Sequence, residues 1–137
     1  MTPRVLLRSE QTGDQIAVIE NRVPARWSGP PLHHHDFDEA FYLLDGELTF
    51  QLGDKFVIAR PGDIAFAVRG AHHTLANLSE APARYLLICT PASFERYFDR
   101  LAAEAAGTEP PPEAAKPYPE TVVVGPPIDA DAVGSNS

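Results

Sequence analysis

The sequence predicts an all-β protein: a single-domain antiparallel β-barrel followed by one C-terminal helix and a proline-rich tail. Three observations point there. Eight short segments carry strand chemistry at even spacing, turn dipeptides divide them, and no helical periodicity falls between them. The segments are residues 4–8, 15–21, 39–44, 47–52, 55–59, 63–68, 72–78 and 83–90. Eight strands in about ninety residues imply a closed or nearly closed barrel.

In order along the chain, the turns justify these elements. Asp45-Gly46 links FYLL to ELTFQL, a two-residue junction that reads as a hairpin because glycine accepts the positive φ such turns need. Gly53-Asp54 reads as the next hairpin. Within residues 47–52, Leu48, Phe50 and Leu52 alternate with Glu47, Thr49 and Gln51, so one face is buried and the other polar. Arg60-Pro61-Gly62-Asp63 and Arg69-Gly70 are further turns. A helix is expected over about residues 91–106, with Thr90 as N-cap, Pro91 at the first helical position and Gly107 ending it. Its apolar stripe, Phe94, Tyr97, Phe98, Leu101 and Ala105, packs on the barrel or on a second subunit.

Composition bounds the function. The 137 residues carry a net charge of −8, and a single cysteine, Cys89, excludes an internal disulfide. The acidic balance argues against nucleic acid and against an anionic membrane surface as partners. No signal-peptide core and no membrane-length apolar run is present, which leaves a cytoplasmic protein as the expectation. The domain reading is residues 1–106 as barrel plus helix and 107–137 as tail. That tail holds seven of the 14 prolines and five acids against the one base Lys116. Its proline runs are extended, and Val122-Val123-Val124 can add one edge strand.

The chemistry concentrates in GPPLHHHDFDEAFYLLDG, residues 29–46. His33 and His35 are two apart, so on an extended segment both imidazoles reach one face, and Glu39 returns to it at an even offset. His34 points the other way. Two imidazoles and a carboxylate suit a borderline divalent metal. Downstream, His72 and His73 offer a third imidazole from an antiparallel neighbour, which would leave open positions for water, substrate or oxygen. Residues 36–47 hold five acids and no base, a cation-attracting mouth. By parity with Glu39, Phe41 and Leu43 face the interior, where an aromatic lining suits a planar organic substrate better than a sugar phosphate. Arg60, Arg69 and Arg84 are the cations in reach of the rim.

These residues resemble the two motifs of the cupin family. The first motif, His-x-His, three or four residues, Glu, six residues, Gly, is matched by His33, His35, Glu39 and Gly46. The second, Pro-x-Gly followed by a His, three residues and Asn, is matched by Pro61-Gly62-Asp63, His73 and Asn77. The chain departs from the pattern in that Pro-Gly-Asp order, in His72 where proline is common, and in Trp27 where the first motif opens with glycine. The resemblance covers roughly residues 4–106, is to small single-domain bacterial cupins, and implies a jelly-roll barrel. It also implies a mononuclear metal centre of His33, His35, Glu39 and His73, binding one divalent ion per chain (Fe, Mn, Ni, Cu or Zn). The spacing to Asn77 is what selects His73 over His72, which faces away or sits near the rim.

The bland readings fall to the other residues. Asp36 and Asp38 are solvated, Asn77 is a strand-end hydrogen-bonding residue, Gly46 and Gly62 serve the backbone, and Cys89 is a small core residue. The function expected is a metal-dependent oxidoreductase, an oxygenase resembling the flavonol-cleaving (quercetinase-like) dioxygenases. It would act on a small aromatic or polyketide-like substrate, with Glu39 as both ligand and general base. The alternatives are a cyclase or isomerase using the metal as Lewis acid, and a non-catalytic ligand- or metal-binding cupin. Expected partners are a small-molecule substrate, O2 for an oxygenase, and a second copy of the chain in a homodimer.

Overall fold

The computed structural model describes residues 1–135, so Asn136 and Ser137, the last two residues of the expected tail, lie outside the described residues. The strands are β1 (Thr2–Leu7), β2 (Ala17–Val23), β3 (His33–His34), β4 (Asp38–Asp45), β5 (Leu48–Leu52), β6 (Lys55–Ala59), β7 (Ile64–Ala67), β8 (His73–Ala76), β9 (Ala83–Thr90) and β10 (Val122–Val123). The helices are α1 (Ser9–Thr12), α2 (Glu95–Ala106) and α3 (Ala130–Ser135), with a 3-10 turn at Pro112–Ala115.

Two antiparallel sheets of five strands face each other, one in the order β1-β2-β9-β4-β7 and the other β10-β3-β8-β5-β6. No ladder joins them among the described residues. The architecture is two packed antiparallel sheets of jelly-roll type, as expected of a nearly closed barrel. Alternation puts Ile19, Leu43, Tyr85 and Leu87 of the first sheet against Leu48, Phe50 and Leu75 of the second, all buried. Phe41 and Phe50 meet across the gap with ring centroids 5.0 Å apart.

Asp45-Gly46 is not a hairpin. β4 pairs with β7 and β9, whereas β5 pairs with β6 and β8, so this junction carries the chain from one sheet to the other. A register shift between Leu43 and Asp45 bends β4 away from its neighbour first. Gly46 then turns with φ +81°, and a side chain there would strike the Pro82 carbonyl at 2.6 Å. Gly53-Asp54 does close the β5–β6 hairpin, with Leu52 opposite Lys55.

The helix begins later than expected. Thr90 is the last residue of β9, held in the ladder opposite Asp38, and is thus not free to cap a helix. The first helical residue is Glu95, whose buried carboxylate accepts from Ser93 N at 2.8 Å and from Ser9 N and Oγ at 2.7 and 2.6 Å. That contact ties α2 to α1, a short helix between β1 and β2 where none was expected. Arg8 completes the tie with a two-pronged pair to Asp99 at 3.0 and 2.9 Å. Phe94 and Phe98 bury against the core, Tyr97 and Leu101 pack beside them, and Ala105 is exposed rather than part of the stripe. None of these helices is long and apolar enough to cross a membrane.

The tail returns along the molecule. Arg100 donates to the Ala114 carbonyl (2.8 Å) and Arg96 to that of Pro117, while Lys116 meets Glu10 at 3.1 Å. β10 then adds to the edge of the second sheet beside β3, using the apolar run at 122–124.

Candidate metal centre

Four side chains converge at one end of the gap between the sheets. His33 on β3 and His73 on β8 are direct cross-strand partners, His35 follows two residues after His33, and Glu39 comes from β4 in the opposite sheet. All four are buried: His33, His73, His35 and Glu39 keep 6 %, 3 %, 4 % and 3 % of their surface exposed. The three imidazoles present ligand atoms within 4.8 Å of one another. Ring centroids lie 4.7 Å apart for His33–His35, 4.6 Å for His33–His73 and 5.7 Å for His35–His73.

The protonation of the rings follows from their outer contacts. Nδ1 of His33 lies 2.7 Å from the Pro31 carbonyl, that of His73 2.9 Å from the Ala71 carbonyl, and that of His35 3.3 Å from the Glu120 carbonyl. A carbonyl oxygen only accepts, so each Nδ1 carries the hydrogen, which leaves Nε2 as the lone-pair nitrogen of each ring when it is neutral. This is how metal-ligating imidazoles are oriented. Burial, the largest influence, holds His33 below the ordinary histidine range and His35 down at about 4, so both stay neutral. Burial also pushes His73 down, but the Glu39 carboxylate against its ring outweighs it and raises it.

Glu39 is the test of fit for a metal. Its Oε2 touches Nε2 of His73, and its Oε1 lies 3.8 Å from Nε2 of His35. Among the described residues, neither Oε2 nor the His73 Nε2 has a hydrogen bond. Two buried lone pairs in contact repel unless a cation lies between them, a proton on His73 or, in its place, a metal ion. Three lone-pair imidazoles and one carboxylate fit a divalent first-row ion, with nitrogen and oxygen ligands alone. Cys89, fully buried in β9 with its thiol pushed up by burial, offers no soft ligand.

Above the four side chains opens a cavity of about 300 Å³. Phe41 lines it as parity required, and Trp27, Tyr85, Phe94, Tyr97 and Phe98 supply the other aromatic rings of the wall. Among the described residues, no lysine or arginine lines it. Arg60 turns to Glu47, Arg69 to Asp38 and Arg84 to Glu20. The sequence pattern assigns Phe94, Tyr97 and Phe98 to packing alone; they pack and also wall the cavity. Trp27 stands out in the sequence only as a departure from the first motif, and nothing in the local pattern marks Tyr85 or Thr121 as lining residues.

The remaining motif residues take structural places. Asn77 is fully buried, donating from Nδ2 to the Pro24 and Ala81 carbonyls at 3.0 and 2.8 Å while its Oδ1 accepts from Ser79 N and Oγ. Asp38 pairs with Arg69, and Asp36 is exposed. Gly29, two residues after Trp27, is the tight position: at φ +73° an added Cβ would lie 1.8 Å from the Leu75 carbonyl.

The family model for the cupin domain (Cupin_2) matches residues 20–89, just over half of the chain. The chain is a cupin. The match spans β2 to β9 and therefore all four converging residues. Solved structures similar to this cupin include TT1209 from Thermus thermophilus, with 25 % identity and a TM-score of 0.56 over 66 % of this chain and 84 % of that one. A predicted oxalate decarboxylase from Thermotoga maritima is 24 % identical, with a TM-score of 0.61 over 65 % and 78 %. The polyketide cyclase RemF from Streptomyces resistomycificus is 23 % identical, with a TM-score of 0.57 over 64 % and 63 %. Identities this low carry the fold alone. No match was found among curated proteins.

Proposed function

We propose that this cupin is a metal-dependent enzyme, a dioxygenase acting on a small, uncharged aromatic or polyketide-like substrate. His33, His35, Glu39 and His73 hold its single divalent ion. One observation carries the reading: three buried imidazoles and a carboxylate meet at the floor of an aromatic cavity with no lysine or arginine among its described lining residues. When bound, a divalent ion would act as a Lewis acid and, if redox-active, would permit O2 chemistry.

The chain's own residues do the rest. The faces of Trp27, Phe41 and Phe94 hold a planar ring by apolar burial and offset stacking. Glu39 takes a proton from a substrate hydroxyl at a carboxylate oxygen, in reach of the same point as the imidazoles. Phe94, Tyr97 and Phe98 close the helix side against water. Apart from the ion itself, an anionic substrate such as a dicarboxylate finds no lysine or arginine in the described wall, which favours an uncharged ring over a dicarboxylate.

The experiment is oxygen uptake with a panel of polyphenols, on protein loaded separately with each of Fe, Mn, Ni, Cu and Zn. Substrate-dependent uptake supports the dioxygenase. Conversion without uptake assigns a cyclase or isomerase, and binding without conversion leaves a ligand-binding protein. A homodimer belongs to the same proposal, since Ile64 and Phe66 of the edge strand β7, and Val68 just past its end, stand exposed. A monomer mass in light scattering at micromolar concentration removes it.

A further inference from the structure

We infer that the C-terminal segment is a working part of the metal centre: the Glu120 carbonyl and the Thr121 hydroxyl position His35 as a ligand, so that seating residues 117–126 and binding metal favour each other. This rests on the metal reading above.

The three imidazoles are oriented in two different ways. His33 and His73 each use the carbonyl two residues earlier, Pro31 and Ala71, and carry their own orientation wherever the strand goes. His35 instead draws on distant acceptors. Its Nδ1 lies 3.3 Å from the Glu120 carbonyl and 3.4 Å from Thr121 Oγ1, both supplied by the tail, 85 and 86 residues along the chain. With those acceptors in place the hydrogen sits on Nδ1, and Nε2 faces Glu39 as a lone pair. Without them the ring is free to hold its hydrogen on Nε2 or to rotate, and the centre has lost a ligand.

The tail is built to stay there. β10 pairs with β3 through Val122 opposite His34 and Val123 opposite His33. Val124 N donates to the Leu32 carbonyl at 2.8 Å, and Leu32 N donates back to that of Pro126 at 3.1 Å. Tyr118 lies under the Arg100 guanidinium at 5.1 Å, beside Phe94 and Tyr97 of the cavity wall. Thr121 itself lines the cavity. Because coupling is reciprocal, whatever tail seating adds to metal affinity, metal adds to tail seating.

The test uses the full-length chain and Zn(II), Co(II) and a protease as probes. Thr121→Val keeps the shape and removes one acceptor; Thr121→Ser restores the hydroxyl. Thr121→Val should lower Zn(II) affinity by about tenfold, the lower end for losing an orienting partner, and shift the visible bands of the Co(II) form. Thr121→Ser should return both toward the parent. In the unaltered protein, Zn(II) should slow cleavage within residues 117–126. Unchanged affinity and spectrum in Thr121→Val, or tail cleavage indifferent to metal, overturns the coupling while leaving the metal reading standing. Failure of the unaltered protein to bind either ion overturns both.

Discussion

The five histidines of this chain sit around two neighbouring strands, β3 and β8, and the pleat sorts them into two sets with opposite fates. His33, His35 and His73 face the gap between the sheets, buried, each with Nδ1 at a backbone carbonyl and a carboxylate among them. His34 and His72 lie on the other face of the same sheet with rings stacked 5.4 Å apart, and neither forms an ion pair among the described residues. The side chain is the same in both sets. What differs is burial, the carbonyl that fixes the tautomer, and Glu39. The candidate metal centre is thus a property of the face rather than of the histidine-rich stretch.

The largest effect expected from breaking this comparison is on the inner set. His73→Ala or His33→Ala should weaken Zn(II) binding by more than about a hundredfold, beyond the range seen when only an orienting partner is lost. Competition titration measures it. Next comes Gly29→Ala, which leaves both sets of imidazoles intact but forces a side chain into the Leu75 carbonyl at a positive φ. It should cost about 3 kcal/mol or more in chemical denaturation, strain and overpacking adding together. Metal itself should stabilise the native protein by about 2.7 kcal/mol at a free concentration one hundred times the dissociation constant, read as a rise in melting temperature. That rise should vanish in His73→Ala. The smallest effect is the control: substituting half-buried His34 (His34→Ala) or exposed His72 (His72→Ala) should change Zn(II) affinity by about twofold or less, within the scatter of substitutions away from the site. A loss in His34→Ala as large as in His33→Ala would break the comparison outright.

Most of this centre is legible in the sequence because strand parity is a local rule. His33 and His35 share a face by their spacing, as do Glu39, Phe41 and Leu43 along β4, and the separation of His72 from His73 follows from the same rule. That β3 and β4 lie in opposite sheets and face each other is not in the spacing. Turn chemistry is local too, yet it says only that the chain reverses, not which strand it pairs with next. Asp45-Gly46 has the residues of a hairpin and serves as a corner between sheets, because Gly46 is needed for its φ and its close approach to Pro82. The start of α2 departs from its sequence signal for a related reason. Thr90-Pro91 suits a helix cap, but ladder pairing with Asp38 claims Thr90 for β9. Least legible is the share of the tail. The atom that orients His35 is a backbone carbonyl at Glu120, and a carbonyl carries no mark in the sequence.

The central claim is that the inner set holds one divalent ion. Its most direct test is elemental analysis of protein purified without added metal, followed by titration of the stripped protein with Zn(II), Mn(II), Fe(II), Ni(II) and Cu(II). The account predicts one ion per chain, bound in the parent and in His34→Ala and lost in His73→Ala. A metal-free protein that binds none of the five ions, or one that binds equally well in His73→Ala, would contradict it.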